Sequence, residues 1–281
     1  MDMKLTEAKE KIQNNCNHLY EQNELENIAW RVFEHILQKD KLHIMLEKNI
    51  EIDETSFNFI LEKLKRNIPV QYIVGYEYFG KLKLYVSKHV LIPRPETEEL
   101  CQIISQDIRR NAMKQTKMLD IGTGSGCIPI YLKKENKALD VYAMDISKEA
   151  LEVAQKNALT YNAQIHFMQA DILDENFSLD QTFDIIISNP PYILEHEKAE
   201  MNTRVFEQEP NIALFVSNND ALQFYQAILL FAKKHMKKQG KIYFEINQYH
   251  AQSVAQLCQQ NGYEAEIKKD MYQNNRFVIV Q

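Results

Sequence analysis

Apolar residues recur at helical spacing through the first part of the chain and at strand spacing after it. Leu25, Ile28, Ala29, Val32, Phe33, Ile36 and Leu37 form one stripe; Phe57, Ile60, Leu61 and Leu64 form another, behind Asp53 or Thr55 as an N-cap. No strand pattern interrupts residues 1–74, which predict a small helical bundle with Trp30 and His35 on its second helix and Trp30 in the core. Pro69 ends the helical pattern, and aromatic and β-branched residues take over from Gln71 to Leu91. There Leu82, Leu84 and Val86 alternate with Lys81, Lys83 and Tyr85, so a hairpin turning at Gly80 is expected. The chain reads as an N-terminal helical domain over 1–74, a β-hairpin connector over 75–92 and a larger domain over 93–281. Pro93 and Pro95 fix the backbone around Arg94, ahead of a helix expected to run to about Ala112.

Beyond that point strand and helix patterns alternate. Strands are predicted over 118–121, 141–144, 165–168, 183–187 and 241–246, with two more near 265–267 and 277–280. Between them fall a helix over 125–134 with Pro129 in its first turn, one capped by Ser147, one from Asp220 through Met236, and one stopping at Gly262. Gly240 closes the turn before the 241–246 strand. Such alternation predicts an α/β domain built on a parallel sheet.

Composition narrows the function classes. The 281 residues suit two domains, and the 45% hydrophobic fraction is ample for their cores. A net charge of −6 argues against stable nucleic-acid binding, which ordinarily needs a basic face. Lys233, Lys234, Lys237 and Lys238 read instead as the solvated end of a helix, favourable at its negative pole. Cys16, Cys101, Cys127 and Cys258 are scattered, as in a reduced, cytoplasmic protein without a disulfide frame or zinc site. The sequence after Met1 lacks an apolar signal core, and the longest apolar run, near 227–232, is far short of a membrane span. A soluble chain with no membrane partner is expected.

The candidate chemistry lies where strands end. Gly122, Thr123, Gly124, Ser125 and Gly126 join the first strand of the larger domain to its helix, and glycines let a backbone approach a bound molecule. Asp145 ends the second strand, where a carboxylate can accept both hydroxyls of a ribose. The dinucleotide fingerprint would need glycine at 127, where Cys127 stands, which weakens a nicotinamide-cofactor reading. Ile172, after the third strand, is placed to pack on an adenine face or to serve the core. Asn189, Pro190, Pro191 and Tyr192 follow the fourth strand. Asn189 supplies an amide carbonyl, the prolines stiffen the loop without adding N–H donors, and Tyr192 can lie against a planar group. Taken alone, Asn-Pro is also a common turn start.

Glycine loop, Asp145 and Asn-Pro-Pro-Tyr, in that order on one sheet, resemble a class I S-adenosylmethionine-dependent methyltransferase acting on amide or exocyclic amine nitrogens. With 69–75 (PVQYIVG), 91–98 (LIPRPETE), 189–193 (NPPYI) and 209–214 (EPNIAL), the chain resembles the HemK/PrmC family over nearly its whole length. The resemblance implies a Rossmann-like, seven-stranded, mostly parallel sheet behind an N-terminal domain that recognises a protein substrate. It implies transfer of a methyl group from S-adenosyl-L-methionine, leaving S-adenosyl-L-homocysteine, to the amide nitrogen N5 of the glutamine in the Gly-Gly-Gln motif of class I peptide chain release factors. It assigns cofactor binding to Gly122, Thr123, Gly124, Ser125, Gly126, Asp145, Ile172 and Asn189, and catalysis to Asn189, Pro190, Pro191 and Tyr192; separately, a monomer without a catalytic metal is expected.

Three other readings compete. Asn-Pro-Pro-Tyr would serve a base methyltransferase acting on adenine N6 or guanine N2 equally well, although the acidic balance opposes it. A nicotinamide-dependent oxidoreductase is disfavoured by Cys127, and a non-catalytic binding module by the intact Asn189 and glycine loop. His196-Glu197 with Glu200 lacks the second histidine of a helical zinc motif and reads as a polar, exposed helix.

Overall fold

The computed structural model describes residues 2–47, 49–110, 116–194, 207–216 and 220–281. The chain divides into two units between Tyr76 and Glu77. In the first, helices α1 (Leu5–Cys16), α2 (Gln22–Leu37), α3 (Lys41–Leu46), α4 (Glu54–Lys65) and α5 (Val70–Val74) bury the predicted stripes in one core. The side chains of Asp40 and Asp53 accept the His43 and Ser56 amides, capping α3 and α4, each cap being worth about 1 kcal/mol. Trp30 packs edge-on against Phe33 at the margin of that core, with the Lys41 ammonium over its ring.

Two features depart from the expectation of an uninterrupted helical bundle ending at Pro69. Strands β1 (Asp2–Lys4) and β2 (Glu51–Asp53) pair antiparallel, each burying a single side chain, Met3 or Ile52. Three residues with one apolar position carry no readable alternation. Helix also resumes after Pro69, with Pro69 itself as the N-cap of α5 and Gly75 ending it in the left-handed conformation.

The second unit opens with a hairpin, β3 (Tyr76–Phe79) and β4 (Leu82–Tyr85), whose first residue closes the first unit. Its strands are fastened within the second unit: Asn157 exchanges two hydrogen bonds with the Tyr85 backbone, and the Tyr161 hydroxyl does the same for Lys83. Helix α6 (Pro95–Arg110) follows. Then come β5 (Lys117–Ile121), α7 (Cys127–Glu135), β6 (Asp140–Asp145), α8 (Lys148–Thr160), β7 (His166–Gln169) and β8 (Phe183–Ser188). A two-residue parallel pair, β9 (Ile193–Leu194) and β10 (Phe215–Val216), flanks α9 (Asn211–Leu214). The chain ends with α10 (Gln223–His235), β11 (Met236–Glu245), α11 (Ala251–Gln260), β12 (Ala265–Lys269) and β13 (Asn275–Val280).

Seven strands form one sheet in the order β12-β13-β11-β8-β5-β6-β7, parallel except that β13 runs against both neighbours. Side-chain alternation along the central strands feeds two cores. Met118, Ile185 and Ile187 cluster with Leu100, Ile104 and Ile128, while Leu119, Ile121 and Ile186 cluster with Ile228, Phe244 and Val254. Each such buried side chain contributes roughly 1.5–3 kcal/mol. Lys237 and Lys238 lie in β11, not at the end of a helix, and α10 stops at His235. Register shifts between Met236 and Lys241, and in this bulge a Cβ on Gly240 would press on the carbonyls of Lys237 and Asp184. A bulged strand start rich in Lys and Gly looks like a turn in sequence.

Candidate active site

The strand order reverses about β5: the chain moves outward through β6 and β7, then returns to place β8 on the other side. In an open α/β sheet this reversal leaves a crevice at the carboxyl ends of the strands. Ile121 pairs with Ser188 across β5 and β8, and the Ser188 hydroxyl donates to the Ile121 carbonyl at 2.8 Å. Gly122 and Asn189, the next residue on each strand, therefore face one opening. A cavity of about 270 Å³ occupies it, lined by residues 122–125, 144–147, 170–173 and 188–191, with Arg94, Thr97, Ile212 and Ala213 among others.

The loop between β5 and α7 is built by its glycines. Gly122, Gly124 and Gly126 all adopt positive φ, at 76°, 52° and 78°. A Cβ at Gly122 or Gly124 would project into open space, whereas one at Gly126 would meet Ala154 and Ile130 at 3.1 Å. The first two positions keep a cradle clear; the third lets α7 approach α8. The Gly122 and Thr123 amides donate to the Met144 carbonyl, and the Asp145 carboxylate accepts Gly124 N at 2.8 Å and Ser147 N at 2.9 Å. Burial raises the Asp145 pKa against those two bonds. Each oxygen retains a lone pair for a ligand.

Asn189, half-buried, donates from Nδ2 to Thr97 Oγ1 at 3.3 Å, and Thr97 donates to Glu245 Oε2 at 2.7 Å. Among the described residues Asn189 Oδ1 accepts no hydrogen bond. Burial pushes the Glu245 carboxyl up to about 7, opposed by Thr97, Arg276 and Asn189. Asn189, Pro190, Pro191 and Ile172 line the cavity, as do Gly122, Thr123, Gly124, Ser125 and Asp145. Gly126 and Tyr192 are not part of the lining. Burial and the neighbouring Glu245 raise the Tyr192 phenol pKa, while Arg276 and Arg94 lower it, so its hydroxyl belongs to the charged cluster behind the loop.

Asp120 and Glu245 lie outside every motif read from the sequence, while Thr97 and Glu209 lie within 91–98 and 209–214 without a role assigned to them there. Asp120, on β5, is fully buried, and neither of its carboxylate oxygens has a hydrogen-bond partner among the described residues. Burial raises its pKa to about 7. Glu245 and Thr97 form the support behind Asn189. Glu209, 5% exposed, ties two loops together: it accepts Arg94 Nη2 on one oxygen and Ile92 N on the other. The available signal was an acid inside an apolar strand, as in MLDI and KIYFEI, since such residues are seldom buried without a task.

His196, Glu197 and Glu200 lie outside the described residues. Among the described residues no His, Cys, Asp and Glu side chains are grouped to hold a metal, and no helix is long and apolar enough to cross a membrane. All four cysteines are buried and unpaired.

Residues 97–280 match the Methyltransferase small domain family, and residues 7–75 match the PrmC N-terminal domain family. The release factor glutamine methyltransferase of Flavobacterium psychrophilum is 39% identical over 267 residues, covering 93% of each chain. That of Bacteroides thetaiotaomicron is 37% identical, covering 95% of this chain and 96% of its own. A solved methyltransferase from Pyrococcus furiosus, 17% identical, covers 78% of this chain and 97% of that one with a TM-score of 0.52, a likeness of fold alone.

Proposed function

The chain belongs to the release factor glutamine methyltransferase family, and from that premise we propose that it methylates, from S-adenosyl-L-methionine, the amide nitrogen N5 of the glutamine in the Gly-Gly-Gln motif of class I peptide chain release factors. The observation that carries the reading is the convergence of an amide-gripping loop, residues 189–191, and a glycine cradle on one cavity.

The residues present suit the cofactor. Gly122 and Gly124 leave space where a side chain would intrude, Asp145 keeps lone pairs for a ribose diol, and Ile172 offers an apolar face to adenine. Asp120, two residues before the glycine loop, is a buried carboxyl whose oxygens have no hydrogen-bond partner among the described residues, and it would offer them to a cationic group of the bound cofactor. When bound, the cofactor supplies an electrophilic methyl group on a sulfonium.

An amide nitrogen is a poor nucleophile because its lone pair is shared with the carbonyl. Asn189 Oδ1 and the Pro190 carbonyl accept the two N–H groups of the substrate amide and fix the nitrogen's direction of attack. As the nitrogen gains positive charge and tetrahedral character, those two acceptors hold it more tightly, a stabilisation organised before reaction begins. Pro190 and Pro191, without N–H donors, keep the loop stiff. Tyr192 braces it from the Glu245 side. The loop carries no strong base, so the surplus proton leaves after transfer.

Mass spectrometry of a purified release factor after incubation should find one added methyl on that glutamine, and none on nucleic acid offered in the same tube. Asn189→Ala should lower kcat by about a hundredfold or more, as for removal of one preorganised group, with cofactor affinity nearly unchanged. Near-normal turnover in that variant would refute the role given to Asn189.

A further inference from the structure

We propose that Glu245, through the Thr97 hydroxyl, is a positioning residue that fixes which end of the Asn189 carboxamide faces the substrate. The inference rests on the role given to Asn189 above. Its basis is the polarity of a three-member chain. An ionised carboxylate can only accept, so the Thr97 hydroxyl, 2.7 Å from Glu245 Oε2, must spend its single proton there. The hydroxyl oxygen is then left as an acceptor. Asn189, 3.3 Å away, presents its NH₂ to that oxygen and to the Glu245 carboxylate beyond it, which leaves Oδ1 for the remaining direction, the cavity that Asn189 lines. The amide orientation thus follows from the charge on a residue of β11.

Asn189 needs such an arbiter, because the two ends of a carboxamide have nearly the same shape and packing alone distinguishes them poorly. Reversed, the side chain would point a donor at a substrate NH₂ that has only donors to offer. Glu245 and Thr97 are 2% and 3% exposed, so no bulk water substitutes for either. The Glu245 surroundings are specific. Thr97 and Glu96 face it from α6, Asn189 and Tyr192 from the loop after β8, and Arg276 from β13. Tyr225 of α10 donates to its backbone carbonyl, and the thiols of Cys101 and Cys127 lie within its field. Burial raises the carboxyl to about 7, with Thr97, Arg276 and Asn189 favouring the ionised state and Glu96 opposing it. Protonated, Glu245 can itself donate to Thr97, and the chain loses its direction.

The test compares Thr97→Val, Thr97→Ser, Glu245→Gln and Asn189→Ala in the full-length enzyme, with a purified class I release factor and S-adenosyl-L-methionine. Thr97→Val and Glu245→Gln should each lower kcat by about tenfold or more, the factor corresponding to loss of one directional hydrogen bond, while cofactor Kd changes by less than about twofold. Thr97→Ser should recover most of what Thr97→Val loses. In the wild type kcat should fall as pH drops below about 7, and that acid limb should vanish in Glu245→Gln. Normal turnover in both Thr97→Val and Glu245→Gln, with Asn189→Ala inactive, overturns the relay and leaves the Asn189 role standing. Normal turnover in Asn189→Ala overturns both. Thermal melts accompany each variant, and the Thr97 pair decides the question alone should Glu245→Gln fail to fold.

Discussion

Asp120 is where fold and chemistry pull in opposite directions. Its carboxyl is fully buried on β5 without a hydrogen-bond partner among the described residues, and burial raises its pKa to about 7. A carboxyl raised above its unfolded value favours the folded chain most when protonated. That advantage is complete in acid and is lost as pH rises through about 7. Above that pH the ionised group costs stability until a cationic ligand arrives. Asp120→Asn should therefore melt higher than wild type above pH 7, with the difference shrinking in acid, while cofactor affinity falls by about tenfold or more. Calorimetric melts across that window, paired with titration of S-adenosyl-L-homocysteine, check both halves. A variant that binds normally would reduce Asp120 to a packing residue. At this scale the sequence is readable where a residue's identity belongs to a spaced motif, as with Gly122, Gly124, Asp145 and Asn189. It marks Thr97 only as a member of the 91–98 motif and is silent on Asp120 and Glu245, because a buried acid or hydroxyl takes its meaning from partners that only the sheet brings together.

The glycine loop shows how one element divides its labour. A methyl at Gly126 would strike Ala154 and Ile130 at 3.1 Å, between α7 and α8, in a backbone with φ of 78°. Overpacking of this kind costs about 1–3 kcal/mol, and the left-handed conformation adds about 1–2 more for a residue with a Cβ. At Gly124 the methyl meets nothing within 4 Å, so only the conformational cost falls on the fold, and the new group projects into the cradle. Gly126→Ala should therefore lose mainly thermal stability, and Gly124→Ala mainly cofactor affinity. Melting curves and cofactor titrations on the two variants should separate cleanly; equal losses in both assays would mean that the loop responds as one unit. Elements were legible in proportion to their length. Helices α2, α4 and α6 and strands β5 and β8 carry enough apolar positions to show a period. Strands β1 and β2 bury one side chain each, and β11 begins in a bulge. In both places tertiary pairing, not local pattern, makes the strand.

At the scale of the whole molecule, alternating patterns foretold a parallel sheet, but not its order, because adjacency of β5 and β8 depends on a crossover that no local pattern records. The division of the chain is also physical. One hydrophobic cluster draws its residues from Met3 to Tyr76, and the two that sandwich the sheet draw theirs from Phe79 to Val280. Units with separate cores can fold separately. All the residues assigned above to the cofactor and to the amide lie in the second unit. If the first unit serves to hold the protein substrate, its removal should spare chemistry and cost recognition. Residues 77–281 alone should melt cooperatively, shift upward with S-adenosyl-L-homocysteine, and methylate a short Gly-Gly-Gln peptide with the kcat/KM of the full chain. On an intact release factor kcat/KM should fall by about tenfold or more through KM, since lost remote contacts of even 1.4 kcal/mol appear as that factor. Equal kcat/KM for fragment and full chain on the intact factor would take substrate recognition away from the N-terminal unit and assign it to the rim of the catalytic one.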